Sequence, residues 1–239
     1  MRRIVLLLIL ISVAGTLCLL NGCGPKTEST NVETSGIYAK FLVHHFADNT
    51  VKAYAQLLVG GEWGTKLDLT SEEHLLCNGQ EMIKGMNNWY YANFPSPCAS
   101  GEYLFRFTRK NNETVDTTLI MAAEPVIINV NPNPLQQGVD ALTVNWDSFE
   151  PGSMVRILVE GNTSGVIYPI DRYVTDNGSY VINSDRFVKY EGASPGTYGA
   201  TVTTTRITYQ PDAVNPAYQG GHNEVRRYAS KYALNIQIP

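Results

Sequence analysis

The chain reads as an all-β protein, two antiparallel β-sandwiches in tandem behind an N-terminal export segment. Three observations carry this. From Gly36 onward apolar residues recur mostly at every second position, and no window of a dozen residues holds an i, i+3, i+4, i+7 stripe. A strand opening recurs, Gly101-Glu102-Tyr103 and Gly196-Thr197-Tyr198, with the tyrosines 95 residues apart, which is one sandwich of roughly 100 residues. Composition supports folded cores, since 44% of the 239 residues are hydrophobic and 17% charged, which excludes a disordered or collagen-like chain. A formal charge of only −4 argues against a nucleic-acid surface.

Met1-Arg2-Arg3 is a short positive segment, and Ile4 to Leu20 is a 17-residue stretch without a charge that runs into Asn21-Gly22-Cys23-Gly24. That is the build of a secretory signal, at the lower limit for spanning a bilayer of about 30 Å. Leu20-Asn21-Gly22-Cys23 resembles the lipobox of bacterial lipoprotein precursors. The resemblance implies that residues 1–22 are cleaved as a signal peptide and that Cys23 becomes the lipidated first residue, carrying palmitate-type chains. It further implies a lipid-anchored protein of the bacterial cell envelope. Gly24 rather than aspartate after the cysteine implies sorting to the outer membrane. At about 0.8 kcal/mol per buried CH₂, several acyl chains exceed what stable anchoring needs.

Cleavage leaves 217 residues with a charge of −6. Residues 23–35 then read as the lipidated cysteine and a flexible linker, because Gly24 to Ser35 is rich in Ser and Thr and has no large apolar residue apart from Val32. Residues 36–124 form the first predicted sandwich. Val51, Ala53, Ala55, Leu57 and Val59 alternate with Lys52, Tyr54 and Gln56 up to a Gly60-Gly61 turn, and Tyr103, Phe105 and Phe107 alternate likewise. Gly before Tyr at a strand entrance fits a tyrosine corner, whose hydroxyl bonds backbone upstream. Cys77 and Cys98, the two cysteines left after processing, have 20 residues between them. In an oxidising compartment they are expected to form a disulfide worth about 3 kcal/mol.

Residues 125–239 form the second predicted sandwich, opened by Pro125 ahead of a strand at Val126 to Val130. Leu142, Val144 and Trp146 form the next strand, followed by Val155, Ile157 and Val159 after a Pro151-Gly152 turn. Ala141 to Trp146 resembles the strand ending in tryptophan of fibronectin type III and related immunoglobulin-like domains, and Ser194-Pro195-Gly196-Thr197-Tyr198 resembles their corner. The resemblance implies an immunoglobulin-like fold and no particular function. Tyr168 to Phe187 is expected to hold an extra hairpin turning at Asp176-Asn177-Gly178. Pro211 to His222 is a long loop before the last strand, and Arg226, Arg227 and Lys231 read as a solvated strand edge.

Chemistry is sparse in this chain. Gly161-Asn162-Thr163-Ser164-Gly165 fails as GxSxG, neither HExxH nor a P-loop occurs, and no CxxC or Cys/His cluster has zinc spacing. His44 and His45 on one strand project to opposite faces and cannot share a metal. The expectation is a protein with a non-catalytic binding or envelope-structural role, no cofactor and no metal site, bound to the membrane through its lipid and to an unknown protein or glycan; the alternatives are a carbohydrate-binding module using surface aromatics or an accessory domain of an envelope enzyme. Trp63, in a Gly-Glu-Trp-Gly turn, with Trp89, Tyr90 and Tyr91, forms the candidate ligand-stacking set, since rings bring large contact area at low entropy cost. In a sandwich, one of two neighbouring aromatics usually faces the core.

Overall fold

Side-chain alternation builds the first sandwich in the computed structural model, which describes residues 26–29, 32–147 and 149–239; the leader and Cys23 lie outside the described residues. Strands β1 (Lys26–Glu28), β2 (Ile37–His45), β3 (Val51–Val59) and β4 (Thr65–Asp68) belong to a large sheet, as do β7 (Ile83–Lys84) and β8 (Tyr90–Phe94). Strands β5 (His74–Cys77), β6 (Gln80–Glu81), β9 (Glu102–Thr108) and β10 (Thr114–Ile120) form a second sheet, ordered β10-β9-β5-β6. Ile37, Ala39, Phe41 and Val43 of β2 and Val51, Ala53, Ala55 and Leu57 of β3 point into the core between the sheets. The small alanines leave room for Phe41 to meet Phe105 with ring centroids 4.7 Å apart.

The second sandwich follows the same rule. Strands β11 (Ile127–Asn131), β13 (Leu142–Trp146) and β16 (Ser179–Ile182) form one sheet. It faces β14 (Met154–Gly161), β15 (Ile170–Thr175), β17 (Gly196–Tyr209) and β18 (Gly220–Ile238), with β12 (Leu135–Gln136) paired to β18. Both tyrosine corners are present: the Cys98 N–H donates to the Tyr103 hydroxyl at 3.2 Å, and the Tyr198 hydroxyl donates to the Ser194 carbonyl at 3.0 Å. The protein is all-β, with two sandwich cores.

One sheet runs through both sandwiches. Its order is β1-β4-β3-β2-β18-β17-β14-β15, because Gly220 to Arg227 of β18 pair in parallel with β2 while Glu224 to Ile238 pair antiparallel with β17. At the joint, two residues of β18 stand against Thr204 of β17, a bulge that re-aims the strand from one core to the other. Val225 and Tyr218 therefore fill the first core, while Leu234, Ile236 and Ile238 fill the second. The boundary near Glu124-Pro125 divides the sequence but not the cores, since residues from the chain's far end complete the first sandwich.

Four expectations are corrected. Part of the predicted flexible linker is folded: β1 pairs in parallel with β4, and Ser29 and Thr34 are buried. The cause is Arg109, which donates to the carbonyls of Ser29 (2.7 Å) and Val32 (2.5 Å) and to the Thr34 hydroxyl (3.1 Å). Beside it the buried Glu73 carboxylate accepts from the Ser29 hydroxyl and lies 3.8 Å from the Arg109 guanidinium. The Asp176-Asn177-Gly178 turn is a crossover between sheets and not a hairpin, since β15 pairs with β14 and β16 with β13. Asp176 is pulled inward by three donors, Trp146 Nε1 (2.7 Å), Arg206 Nε (2.6 Å) and the Glu150 N–H (3.1 Å).

Arg226 and Arg227 lie in the middle of the sheet, where Glu224 engages Arg226 and the Ala122 carbonyl accepts from Arg227 at 2.8 Å. Cys77 and Cys98 are free thiols in place of the expected disulfide; Asn78 Nδ2 donates to the Cys98 sulfur at 2.9 Å, and burial together with Cys98 pushes the Cys77 thiol up to about 12. The long loop after β17 has a structural task. Gln210 exchanges two hydrogen bonds with Ile120 and Asn215 donates to the Asp116 carbonyl at 2.7 Å, so side chains cover the otherwise open edge of β10.

Candidate functional site

The outward positions of the first sandwich's large sheet carry an aromatic cleft of about 410 Å³, lined among others by Leu42, His44, Tyr54, Met86, Trp89 and Tyr91. Such a volume falls within the roughly 300–1,000 Å³ of small-ligand sites. Strand register assembles it: Leu42 of β2 stands opposite Tyr54 of β3, and Tyr54 opposite Tyr91 of β8. Trp89 arrives from the turn after Gly85. Asn87 and Asn88 adopt left-handed backbone conformations there, φ 57° and 55°, which asparagine tolerates better than most residues. Gln56 Nε2 donates to the Asn87 carbonyl at 2.9 Å and Asn88 Nδ2 to the Leu67 carbonyl at 3.3 Å, so the turn is bolted to the sheet. A Cβ at Gly85 would lie 3.2 Å from the Tyr91 ring, so a larger residue there would crowd the ring and push it aside by a few tenths of an ångström.

Within the cleft Tyr54 meets Trp89 edge-on, centroids 6.4 Å apart, and His44 lies 5.2 Å from Tyr54. Lys52 Nζ sits 4.7 Å from the Tyr91 centroid and 5.6 Å from that of Tyr54. Burial first, then the Arg226 guanidinium, lower the His44 pKa to about 4 against the opposing pull of Glu224, so the imidazole is neutral at physiological pH. Burial and the neighbouring Tyr228 raise the Tyr54 phenol above its ordinary value. The site therefore offers ring faces and edges, a thioether from Met86 that is 87% exposed, and one ammonium at the rim. Among the described residues no group of three or more His, Cys, Asp or Glu side chains is placed to hold a metal ion.

Of the four predicted stacking residues, the cleft gathers two. Trp89 and Tyr91 face outward, but Tyr90 points into the core, where its hydroxyl accepts from the Leu69 N–H at 3.1 Å. Trp63 lies outside the lining, at the tip of the β3–β4 turn and 92% exposed, with Lys40 Nζ 5.2 Å from its ring. Leu42, His44, Tyr54 and Met86 were missed; outward alternation along β2 and β3 marked the first three, but only the register with β8 brings them beside Trp89. A wider hollow of about 760 Å³ at the joint is lined by Ile120, Phe149, Pro211 and Gln210, the last already committed to backbone.

No family model matches the chain, and no curated protein matches it. Solved structures similar to parts of it include murine CEACAM1b, at 13% identity and a TM-score of 0.25, covering 84% of this chain and 99% of that one. The Yersinia pseudotuberculosis adhesin InvE is 11% identical with a TM-score of 0.24, covering 82% of this chain and 59% of that one. A Bacteroides ovatus mixed-linkage glucan utilization locus SGBP-B, solved with a mixed-linkage heptasaccharide, is 8% identical with a TM-score of 0.22 and covers 80% and 53%. TM-scores this low carry no functional inference, and the fold rests on the strand pairing of the chain itself.

Proposed function

We propose that this chain is an outer-membrane lipoprotein, exported by residues 1–22 and anchored through Cys23, that acts without catalysis as a binding protein. The single observation that carries the binding role is the convergence of Leu42, Tyr54, Met86, Trp89 and Tyr91 on one outward cleft. Half-buried aromatics around an exposed methionine suit a ligand with an apolar face, because such contacts remove area from water without the cost of stripping charges. The occupant on this reading is a side-chain cluster of a partner protein. A glycan is the second reading, favoured by Trp89, since an indole edge and face accept the C–H side of a pyranose and the neutral His44 adds no charge to desolvate.

Two measurements separate these readings. A photo-crosslinking residue at Met86 should capture a defined envelope protein in living cells, and Trp89→Ala should abolish the capture. Titrating the protein's tryptophan fluorescence with an oligosaccharide panel should give saturable changes, lost in Trp89→Ala, if the ligand is a sugar. A blank in both would remove the cleft as the binding site. Lipidation is read by incorporation of radioactive palmitate, which Cys23→Ala should abolish; continued labelling would sink the anchor.

A further inference from the structure

We propose that the first sandwich stands directly on the bilayer, with the Gly60–Gly64 turn and Trp63 in the lipid headgroup layer and the second sandwich pointing away from the membrane. This rests on the lipid reading of Cys23. Only Gly24 and Pro25 separate Cys23 from Lys26, and three peptide steps reach at most about 11 Å. Lys26 is no free end: it begins β1, paired with Lys66 of β4, and the chain that follows is held by Arg109 at the carbonyls of Ser29 and Val32. A lipid on Cys23 therefore has no slack with which to hold the domain off the surface.

The same end of the sandwich carries Trp63. Lys66 is one residue from Thr65, which pairs with Val59, and residues 60–64 close the turn between them. Positive φ angles of 87° and 96° at Gly60 and Gly61 carry the chain outward, and a Cβ at Gly64 would collide with the Val59 carbonyl at 1.9 Å, so the turn has a defined shape that leaves Trp63 at its tip. Tryptophan is the side chain enriched at membrane interfaces, where its ring lies among acyl carbonyls and its N–H stays wet. The Lys40 ammonium lies 5.2 Å from the ring centroid, a cation held against the indole. Glu62 pairs with Lys40 at 3.5 Å, so the charge beside Trp63 is balanced and docking of the turn needs no anionic lipid.

The strand directions fix the rest of the orientation. Gly220 stands opposite Tyr38 near the membrane end, and β18 then runs away from it for 19 residues to Ile238 in the second core, about 60 Å at strand rise. His44, opposite Arg226, places the aromatic cleft on the flank of the first sandwich, about 20 Å above the chain's point of attachment. A ligand of the cleft would thus be met close to the membrane rather than beyond it.

The test uses the full lipidated protein in phosphatidylcholine vesicles, with bromines on the acyl chains near the headgroups as fluorescence quenchers. Quenching is expected in the native protein, insensitive to salt and to added phosphatidylglycerol, and lost in Trp63→Phe. A Gly/Ser insert of about ten residues between Pro25 and Lys26, adding a mean reach of ~17 Å, should leave the lipid in place and also lose the quenching. Mass spectrometry of the same preparations reads the acyl groups on Cys23. Absence of acyl mass overturns the lipid reading and this inference with it. Acyl mass without bromolipid quenching, or quenching that survives the insert, overturns the orientation alone.

Discussion

Two buried guanidinium–carboxylate clamps each hold a stretch of chain that lies between strands, and they do so differently. At the joint, Arg206 and Asp176 meet at 2.6 Å with both side chains wholly buried, and Trp146 and Glu150 add donors to the same carboxylate. Arg206 also reaches the Ala123 carbonyl, and Thr204 donates to that of Pro125 at 2.8 Å, so the linker is stitched to the second sandwich. At the entrance to the first sandwich, Arg109 and Glu73 are 3.8 Å apart, and Arg109 directs its donors to backbone carbonyls and the Thr34 hydroxyl. The joint depends on a charge pair; the entrance depends on backbone hydrogen bonds that a charge pair merely supports.

That difference is broken most sharply at Asp176. Asp176→Ala leaves the Arg206 guanidinium buried without its carboxylate and strands the Trp146 and Glu150 donors. The expected loss is about 3–5 kcal/mol, read as a lower urea midpoint. Asp176→Asn, which can still accept from Trp146, should lose less. A loss for Asp176→Ala within the noise of a surface substitution would mean that the joint is held by β17 and β18 alone.

Glu73→Gln is the matching test at the entrance. Arg109 keeps its three acceptors, so the expected cost is about 1–3 kcal/mol, the range for a buried hydrogen-bonded group left short of a partner. Amide exchange should quicken across residues 26–36 and stay unchanged near the joint. Equal quickening at both places would show one coupled network rather than two clamps.

How much of this was readable beforehand follows from what alternation encodes. A period of two states which face a residue occupies, and the runs at Val51–Val59, Tyr103–Phe107 and Leu142–Trp146 appear as strands with those faces inward. Alternation says nothing about which strand lies alongside, so the parallel pairing of β18 with β2 was not legible, nor was the crossover at Asp176. Low hydrophobicity around Lys26 to Ser35 reads as a flexible linker because burial there rests on one arginine from far along the chain. For the site, Trp89-Tyr90-Tyr91 had to divide between faces, and it did. What no pattern could supply was that Tyr54 and His44 share the outward side with them.

Acid tests the first sandwich next. The unfolded His44 takes a proton near its ordinary value of 6.5, whereas the folded one does so only at about 4. Between those values the unfolded chain binds more protons, so the stabilisation is complete above 6.5 and is lost as the pH falls toward 4. Allowing for solvent screening, the effect is about 2 kcal/mol. The measurement is the difference between the native protein and His44→Gln in urea midpoints across that window, since carboxylates common to both cancel. Parallel profiles would show that His44 is not held neutral.

The smallest effect expected is at a third pair, and it isolates burial from geometry. Arg156 donates from Nε and Nη2 to the two oxygens of Asp171, both at 2.8 Å, a fork as well formed as the contact at Asp176. The side chains are, however, 28% and 42% exposed. Water screens the attraction and solvates either charge left behind, so Asp171→Asn should cost no more than about 0.5–1 kcal/mol, and less in molar salt. Tyr173, whose ring lies 5.8 Å from the Arg156 guanidinium, still packs against the stem in the variant, so packing is not lost with the charge. If Asp171→Asn were as costly as Asp176→Ala, hydrogen-bond geometry rather than desolvation would set the strength of these clamps, and the contrast between joint and entrance would have to be drawn from donor counts alone.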